Sequence, residues 1–434
     1  MFTSAALRNR LTNAPAWALA LYAAIAAFGV YFCMYAFRKP FTAAGYEGLN
    51  YFGIDYKVWL VTAQVIGYTL SKFYGIRFIS SMKGDKRAGS IVKLILISWL
   101  TLLPFALVPA PYNIFFLFLN GLPLGMVWGL VFSFLEGRKT TEFMGAVLSI
   151  SFIFSSGVVK TVGKSILIEF HVTEFWMPFL TGAIFVAPLL LFTWLLNHVP
   201  APTKEDIALR TARPPMSKQE RKAFLAMFLP GIVIIVTTYV LLTVLRDFRD
   251  NFANELYNEL GYGNNASIFT TTEIPSSLIV LLSMSLLILA RNNFTAFMIN
   301  HCLVIGGYAV ALISTLLSME NYISPVIWMT SIGTGLYLSY VPFNALYFER
   351  MIATYKVRSN IGFIMYIADA FGYLGSVTLL FTKEFVGMQL SWTSFFIHAV
   401  IFISVAGISG TLIAAVYFRR KYLSIQSLNT VPVL

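Results

Sequence analysis

The sequence predicts an all-α integral membrane protein with 12 transmembrane helices in two six-helix bundles and both termini cytoplasmic. Three observations predict it. Of the 434 residues, 58% are hydrophobic and 12% are charged, against about 25% charged in an average soluble domain. Apolar runs of the roughly 20 residues that a bilayer requires recur from end to end. One polar, proline-bearing segment, 199–223, interrupts the series near the midpoint. The loops this leaves are short, and no large soluble domain fits.

The spans are expected at 16–40, 57–80, 90–109, 112–135, 143–168 and 176–198, then at 224–248, 267–290, 295–317, 324–347, 360–383 and 392–418. In hydrocarbon, an open-ended segment satisfies its backbone groups only as a helix. Segment 199–223 carries Pro200, Pro202, Pro214 and Pro215 with Lys204, Arg210, Arg213, Lys218, Arg221 and Lys222. It reads as a linker between an N-terminal bundle, 1–198, and a C-terminal bundle, 224–434. With the N-terminus inside, the cytoplasmic segments hold 20 of the 31 Lys and Arg residues, and the loops at 110–111, 169–175 and 318–323 hold none. That asymmetry sets the orientation. It also accounts for the net charge of +12, which on a soluble chain would suggest nucleic acid; no nucleic-acid partner is expected.

The two cysteines, Cys33 and Cys302, sit in separate apolar runs, and the four histidines are scattered. This pattern fits neither a disulfide framework nor a metal site, so no cofactor or metal is expected. The first apolar stretch is long enough to stay as a helix rather than serve as a cleaved signal. Gly-Lys-Ser at 163–165 lacks the glycine a phosphate-binding loop needs and falls inside a span. With no nucleophile–base constellation either, the chain is not expected to be an enzyme, and any transport it performs must draw on gradients.

Eleven basic residues remain outside the cytoplasmic segments. Lys57, Arg77, Lys93 and Lys383 lie near span ends, where they are expected to snorkel to the interface. A charge at mid-membrane costs at least about 2.5–3.5 kcal/mol and usually has a task. Arg38 and Arg246 each lie the same distance into their spans, counted from Ala16 and Phe224. An Arg fork matches phosphate or carboxylate oxygens bidentately and stays charged when desolvated, so this pair is expected to clamp an anion. The competing reading pairs Arg246 with Asp250 at i+4. Tyr31, Tyr35 and Arg38 are spaced to share one helix face, and the tyrosine hydroxyls suit an anion. Lys72 follows the run VIGYTLSKFYG, and Lys160 and Lys164 share a face of the fifth span. Lys164 is expected to reach the outer interface, and Lys160 is a candidate cavity residue. Among the acids, Glu136 and Glu349 occupy matching cytoplasmic ends of spans four and ten, where gate salt bridges are expected. Asp369 and Glu273 lie within spans, each as a proton site or as the partner of a cavity cation.

Two six-helix halves joined by a basic linker resemble the major facilitator superfamily, in which spans 1 and 7 are symmetry mates and substrate binds near the midplane. More specifically, YFCMYAFRKPF (31–41), GYTLSKF (67–73), GMVWGLVFSFLEGRKTTEFMGA (125–146), YVLLTVLRDF (239–248), YLSYVPFNALYFE (337–349) and FGYLGS (371–376) resemble the organophosphate:phosphate antiporter branch. That resemblance implies that Arg38 and Arg246 bind the phosphate moiety with help from Lys72. It places Tyr31, Tyr35, Tyr340 and Tyr373 along the cavity. It also implies alternating access, exchange against inorganic phosphate, a monomer, and a bacterial cytoplasmic membrane. The sequence departs from the branch where FIFSSGVVK carries no histidine, and Lys160 about a turn later is the candidate substitute. Two other readings stay open: a proton-coupled carrier using Asp369 or Glu273, and a non-transporting sensor on the same fold.

Overall fold

A computed structural model of the protein describes residues 4–80, 86–203, 205–206, 218–355, 361–385 and 390–429. Lys83, Lys204, Arg210, Arg213, Lys356 and Arg358 of the charge count, and most of the expected linker, lie outside the described residues. Helix occupies the apolar runs: α1 (Ala5–Thr12), α2 (Ala16–Tyr35), α3 (Tyr56–Ser80), α4 (Arg87–Leu107), α5 (Ile114–Leu124), α6 (Val127–Phe132), α7 (Thr141–Glu169) and α8 (Met177–Asn197). There follow α9 (Lys218–Asn251), α10 (Ala253–Glu259), α11 (Ile268–Ile288), α12 (Asn293–Met319), α13 (Pro325–Pro342), α14 (Phe348–Tyr355), α15 (Ile361–Phe385) and α16 (Trp392–Asn429). A two-residue antiparallel hairpin, β1 (Asn50–Tyr51) and β2 (Ile54–Asp55), precedes α3.

Among the described residues, nine helical spans are long and apolar enough to cross a membrane. The chain is an integral membrane protein. Helices α3, α13 and α15 are not among those nine; they carry Lys57 and Lys72, Ser339 and Tyr340, and Asp369 and Lys383, respectively.

Several helix ends differ from expectation, each for a local reason. The first span, expected to run to residue 40, ends at Tyr35 and is followed by turns and a 3₁₀ segment, Pro40–Ala43. Pro40 has no N–H to give and disfavours helix at Lys39. Arg38 therefore sits in a turn beyond the helix. The fourth span breaks into α5 and α6 after Pro123. Glu136 lies past its end in an exposed turn that Gly137 completes at φ +85. The tenth span passes from α13 through a π-helical turn, Phe343–Tyr347, after Pro342, then continues as α14 with Glu349 in its first turn. The last span runs eleven residues past 418 because α16 continues as a helix through Arg419, Arg420 and Lys421.

The chain forms two compact units that do not follow chain order. Unit 1 comprises Met1–Arg210, Phe248–Leu281 and Val377–Phe395; unit 2 comprises Thr211–Asp247, Leu282–Ser376 and Phe396–Leu434. Small residues let helices approach closely where lipid supplies no hydrophobic drive. In unit 1, a Cβ on Gly121 of α5 would overlap the Gln64 carbonyl oxygen of α3 and stand 2.9 Å from the Tyr68 nitrogen. Gly67 makes the reciprocal approach to the Phe118 carbonyl. Backbone cannot yield as a side chain can, so Gly121→Val is expected to cost about 1–3 kcal/mol through overpacking. A lowered melting temperature of the purified protein in detergent would show it, and an unchanged one would refute the close approach.

Candidate functional site

In unit 1 the end of α2 exposes carbonyls that would otherwise be orphaned in an apolar setting. Two buried amides receive them. Gln64 Nε2 donates to the Arg38 carbonyl at 2.9 Å, and Asn120 Nδ2 donates to the Phe37 carbonyl at 3.0 Å. Gln64 also donates to Asn120 Oδ1 at 2.8 Å, and Asn120 reaches the Ser98 carbonyl at 2.9 Å. This network fixes the turn from which Arg38 projects. The Arg38 guanidinium lies over the Tyr68 ring, 3.9 Å from its centroid, and Lys72 Nζ stands 5.5 Å from the same ring. Tyr31 and Tyr35 meet edge to face at 5.6 Å. Tyr68, Gln64 and Asn120 were not singled out from the sequence, although Gln64, Tyr68 and Lys72 recur every four residues, the spacing of one helix face.

Unit 2 carries a second cluster of the same design. The Arg246 guanidinium lies over the Tyr340 ring, 3.8 Å from its centroid. Its Nε and Nη2 donate to Asp247 Oδ1 at 3.2 and 2.5 Å. The expectation that Arg246 might pair with Asp250 is thus corrected: its partner is the adjacent residue. Ser376 donates to the other Asp247 oxygen at 2.9 Å. Tyr239 donates to Asp369 Oδ1 at 2.6 Å and lies 3.3 Å, hydroxyl to hydroxyl, from Tyr340. Glycines in FGYLGS permit this: a Cβ on Gly372 would stand 3.0 Å from Thr243 Cγ2, and one on Gly375 2.8 Å from Val244 Cγ2. Helix α15 thereby presses onto α9, with Tyr373 buried beside the contact. Tyr239 also escaped the sequence reading. The signal for it was present, since Tyr239 precedes Arg246 by the same seven residues that separate Tyr31 from Arg38.

The remaining predicted cations of unit 1 meet carboxylates. Asp250 accepts from Lys39 through Oδ2 and from Lys160 through Oδ1, the latter at 2.5 Å, with Ser156 also donating to it. Lys39 reaches Asn251 Oδ1 as well, at 2.7 Å. Lys160 was expected among the substrate-binding residues; the structure places its ammonium on Asp250. Arg249 Nη1 binds Glu273 Oε1 at 2.6 Å, so Glu273 is a cation's partner. Gly157 brings α7 onto α11 here, a Cβ at that position standing 2.8 Å from Glu273 Cβ. Lys164 donates to Asn254 Oδ1 at 2.8 Å. Lys57, expected to snorkel, is instead fully buried. Its ammonium meets Glu255 at 2.6 and 2.7 Å and the carbonyls of Thr42 and Ala44 at 2.8 Å each. An ammonium with that many acceptors within reach has no need of water. Lys383, also expected to snorkel, lies 3.7 Å over the Trp392 ring and 3.1 Å from Glu384. Lys93 is exposed, as a snorkelling residue requires.

Residues 40–421 match a family described as a family of unknown function, DUF5690. The chain belongs to the DUF5690 family. No curated protein matches this DUF5690 sequence. Among solved structures it is similar to the nucleoside transporter NupG, at 16% identity over 93% of this chain and 99% of that one, with a TM-score of 0.60. It is similar also to the POT family transporter PepTSo, at 15% identity over 94% and 99% with a TM-score of 0.58. A D-xylose-proton symporter matches at 15% identity over 92% and 97% with a TM-score of 0.59. At these identities the likeness shows the fold, which for this DUF5690 chain is that of major facilitator transporters.

Proposed function

We propose that this DUF5690 protein is a secondary transporter of a small organic anion, an organophosphate exchanged for inorganic phosphate across a bacterial cytoplasmic membrane. The observation that carries the proposal is the repeated design of the two clusters. Each unit lays one arginine on a tyrosine ring, at 3.9 Å for Arg38 and 3.8 Å for Arg246. Arg38 and Arg246 bind the anion, Lys72 assists, and Tyr31, Tyr35, Tyr340 and Tyr373 line the path. Planar guanidiniums held this way are preorganised for two-point contact with phosphate or carboxylate oxygens and lose little side-chain entropy on binding. The solved structures of similar fold are of transporters, which supports carriage over sensing. The chain is taken to act as a monomer.

A proton-coupled reading has one observation in its favour. Asp369 is tied by Tyr239 to Tyr340, the ring under Arg246, so a proton on Asp369 would be felt at the guanidinium.

Proteoliposomes loaded with labelled phosphate test the proposal. Efflux triggered by an external organophosphate, and lost in both Arg38→Ala and Arg246→Ala, is the expected result. Absence of exchange with every phosphate and carboxylate offered would overturn the antiporter. Efflux that requires a pH gradient and fails in Asp369→Asn would favour proton coupling.

A further inference from the structure

The two arginines are held by different means. Arg38 sits in a turn, and Gln64 fixes that turn by donating to the Arg38 carbonyl at 2.9 Å. Arg246 lies inside α9, where the backbone is regular and only side-chain contacts can aim the guanidinium. Tyr340 supplies one, its ring centroid 3.8 Å from the guanidinium. That attraction acts between a cation and a ring face and does not select which N–H points where. Asp247 does select. Its Oδ1 accepts from Nε at 3.2 Å and from Nη2 at 2.5 Å, so one side edge of the fork is committed to a single oxygen. Of the five N–H groups, the pair at the far end, one on Nη1 and one on Nη2, lies outside this contact and suits two oxygens of an anion. Adjacent positions on a helix do not ordinarily face each other, and Asp247 is adjacent to Arg246. Ser376 of α15 accounts for their meeting. Its hydroxyl stands 2.9 Å from Asp247 Oδ2 and 3.0 Å from the Gly372 carbonyl. It has one proton to give, and a charged acceptor outcompetes a neutral one. The close approach of Gly372 and Gly375 to Thr243 and Val244 brings α15 near enough to α9 for this.

We infer that Asp247 and Ser376 are positioning residues for anion binding. Ser376 holds the carboxylate, the carboxylate holds one edge of the Arg246 guanidinium, and the far pair of N–H groups is thereby aimed at the anion. The inference rests on the reading of Arg246 as an anion-binding residue and goes beyond it by naming what aims that residue. An aimed fork makes two charge-assisted hydrogen bonds to the anion where a rotated one makes one, and one such bond is worth about tenfold or more in affinity. The sign of the effect separates this role from its opposite. A carboxylate that only neighbours the site opposes an anion by its charge, so its neutralisation would tighten binding. Neutralising a carboxylate that aims the guanidinium loosens binding instead.

Inorganic phosphate is the probe. It is titrated calorimetrically against the purified full chain, and its half-saturating concentration for exchange is measured in proteoliposomes. Asp247→Asn keeps the size of the side chain and removes its charge. It is expected to weaken phosphate binding about tenfold and to raise the half-saturating concentration by a like factor, with little change in maximal rate, the pattern of a contact made equally in the ground and transition states. Ser376→Ala is expected to weaken binding roughly threefold, as the loss of one hydroxyl hydrogen bond does. Ser376→Thr keeps the hydroxyl and is expected to restore most of the affinity. Should Asp247→Asn not purify as a folded protein, the two Ser376 variants decide. Tighter or unchanged phosphate binding in Asp247→Asn, or a Ser376→Thr protein no better than Ser376→Ala, overturns the inference while the anion carrier stands. If the parent protein binds no phosphate, the anion-binding reading of Arg246 fails and the positioning role falls with it.

Discussion

Asp250→Asn is expected to destabilise the protein by about 3–5 kcal/mol, the range for removing one partner of a buried ionic cluster. Lys39 and Lys160 are both buried, and both ammoniums rest on the two oxygens of this one carboxylate. The amide is nearly the same size, so packing is preserved and the effect isolates charge. Two lysines would then share a neutral group whose nitrogen offers donors where they require an acceptor. Hydrogen bonds from Lys39 to Asn251 Oδ1 and from Lys160 to the Asp250 carbonyl remain, but a neutral oxygen offsets only part of a desolvated charge. Thermal unfolding of the purified variant in detergent reads the loss. The triple replacement Lys39→Met, Asp250→Leu, Lys160→Met removes every charge together and is expected to recover most of it, because buried ion clusters often exchange for apolar groups at little net cost. A single variant as stable as the parent, or a triple variant worse than the single, would contradict this account.

Arg38→Lys and Arg246→Lys are each expected to cut the rate of phosphate exchange about 100-fold while leaving the protein folded. Lysine keeps the charge, so the substitution separates charge from shape. It loses the planar fork and the flat contact with Tyr68 or Tyr340. A charge-assisted hydrogen bond is worth about 1.5–3 kcal/mol and a desolvated cation–π contact about 2 kcal/mol or more. Losing part of both amounts to about 2.7 kcal/mol, which is roughly 100-fold. Arg246→Lys carries a second consequence, since one ammonium cannot reproduce the two-point contact that now holds Asp247. Its loss is therefore expected to be the larger of the two. Initial rates from proteoliposomes decide the matter. Normal exchange by both lysine variants would mean that charge alone suffices and that the stacked guanidiniums have no role in binding.

How much of this could be read from the chain differs from residue to residue. The apolar runs announced their helices, and Arg38 and Arg246 were conspicuous because charge is costly in a span. Pro40, in plain view, already implied that the first helix would not run through Lys39, yet apolarity up to residue 37 drew the expected span past it. Tyr68 and Tyr239 each stood at a helical spacing from a singled-out cation and were legible in principle. Gln64 and Asn120 were not. Amides in a span are ambiguous until it is known which backbone carbonyls lack partners, and the Phe37 and Arg38 carbonyls lack helical ones only because α2 ends where it does.

Lys57 and Asp250 mark the boundary most clearly. By itself the sequence determined that this chain lives in a bilayer, which segments are helices, and which few residues carry charge into them, because hydropathy and backbone hydrogen bonding act locally along the chain. Only the tertiary structure decided which charge meets which. The local rule offered Asp250 to Arg246 one turn away. In the folded protein Asp250 is met by Lys39 and Lys160, more than 200 and 90 positions away in sequence respectively, and Lys57 lies against Glu255 at a separation of 198. In a medium of low dielectric a charge is stabilised by the nearest opposite charge in space. Nearness there depends on glycine-permitted helix contacts, and hydropathy along the chain carries no record of them.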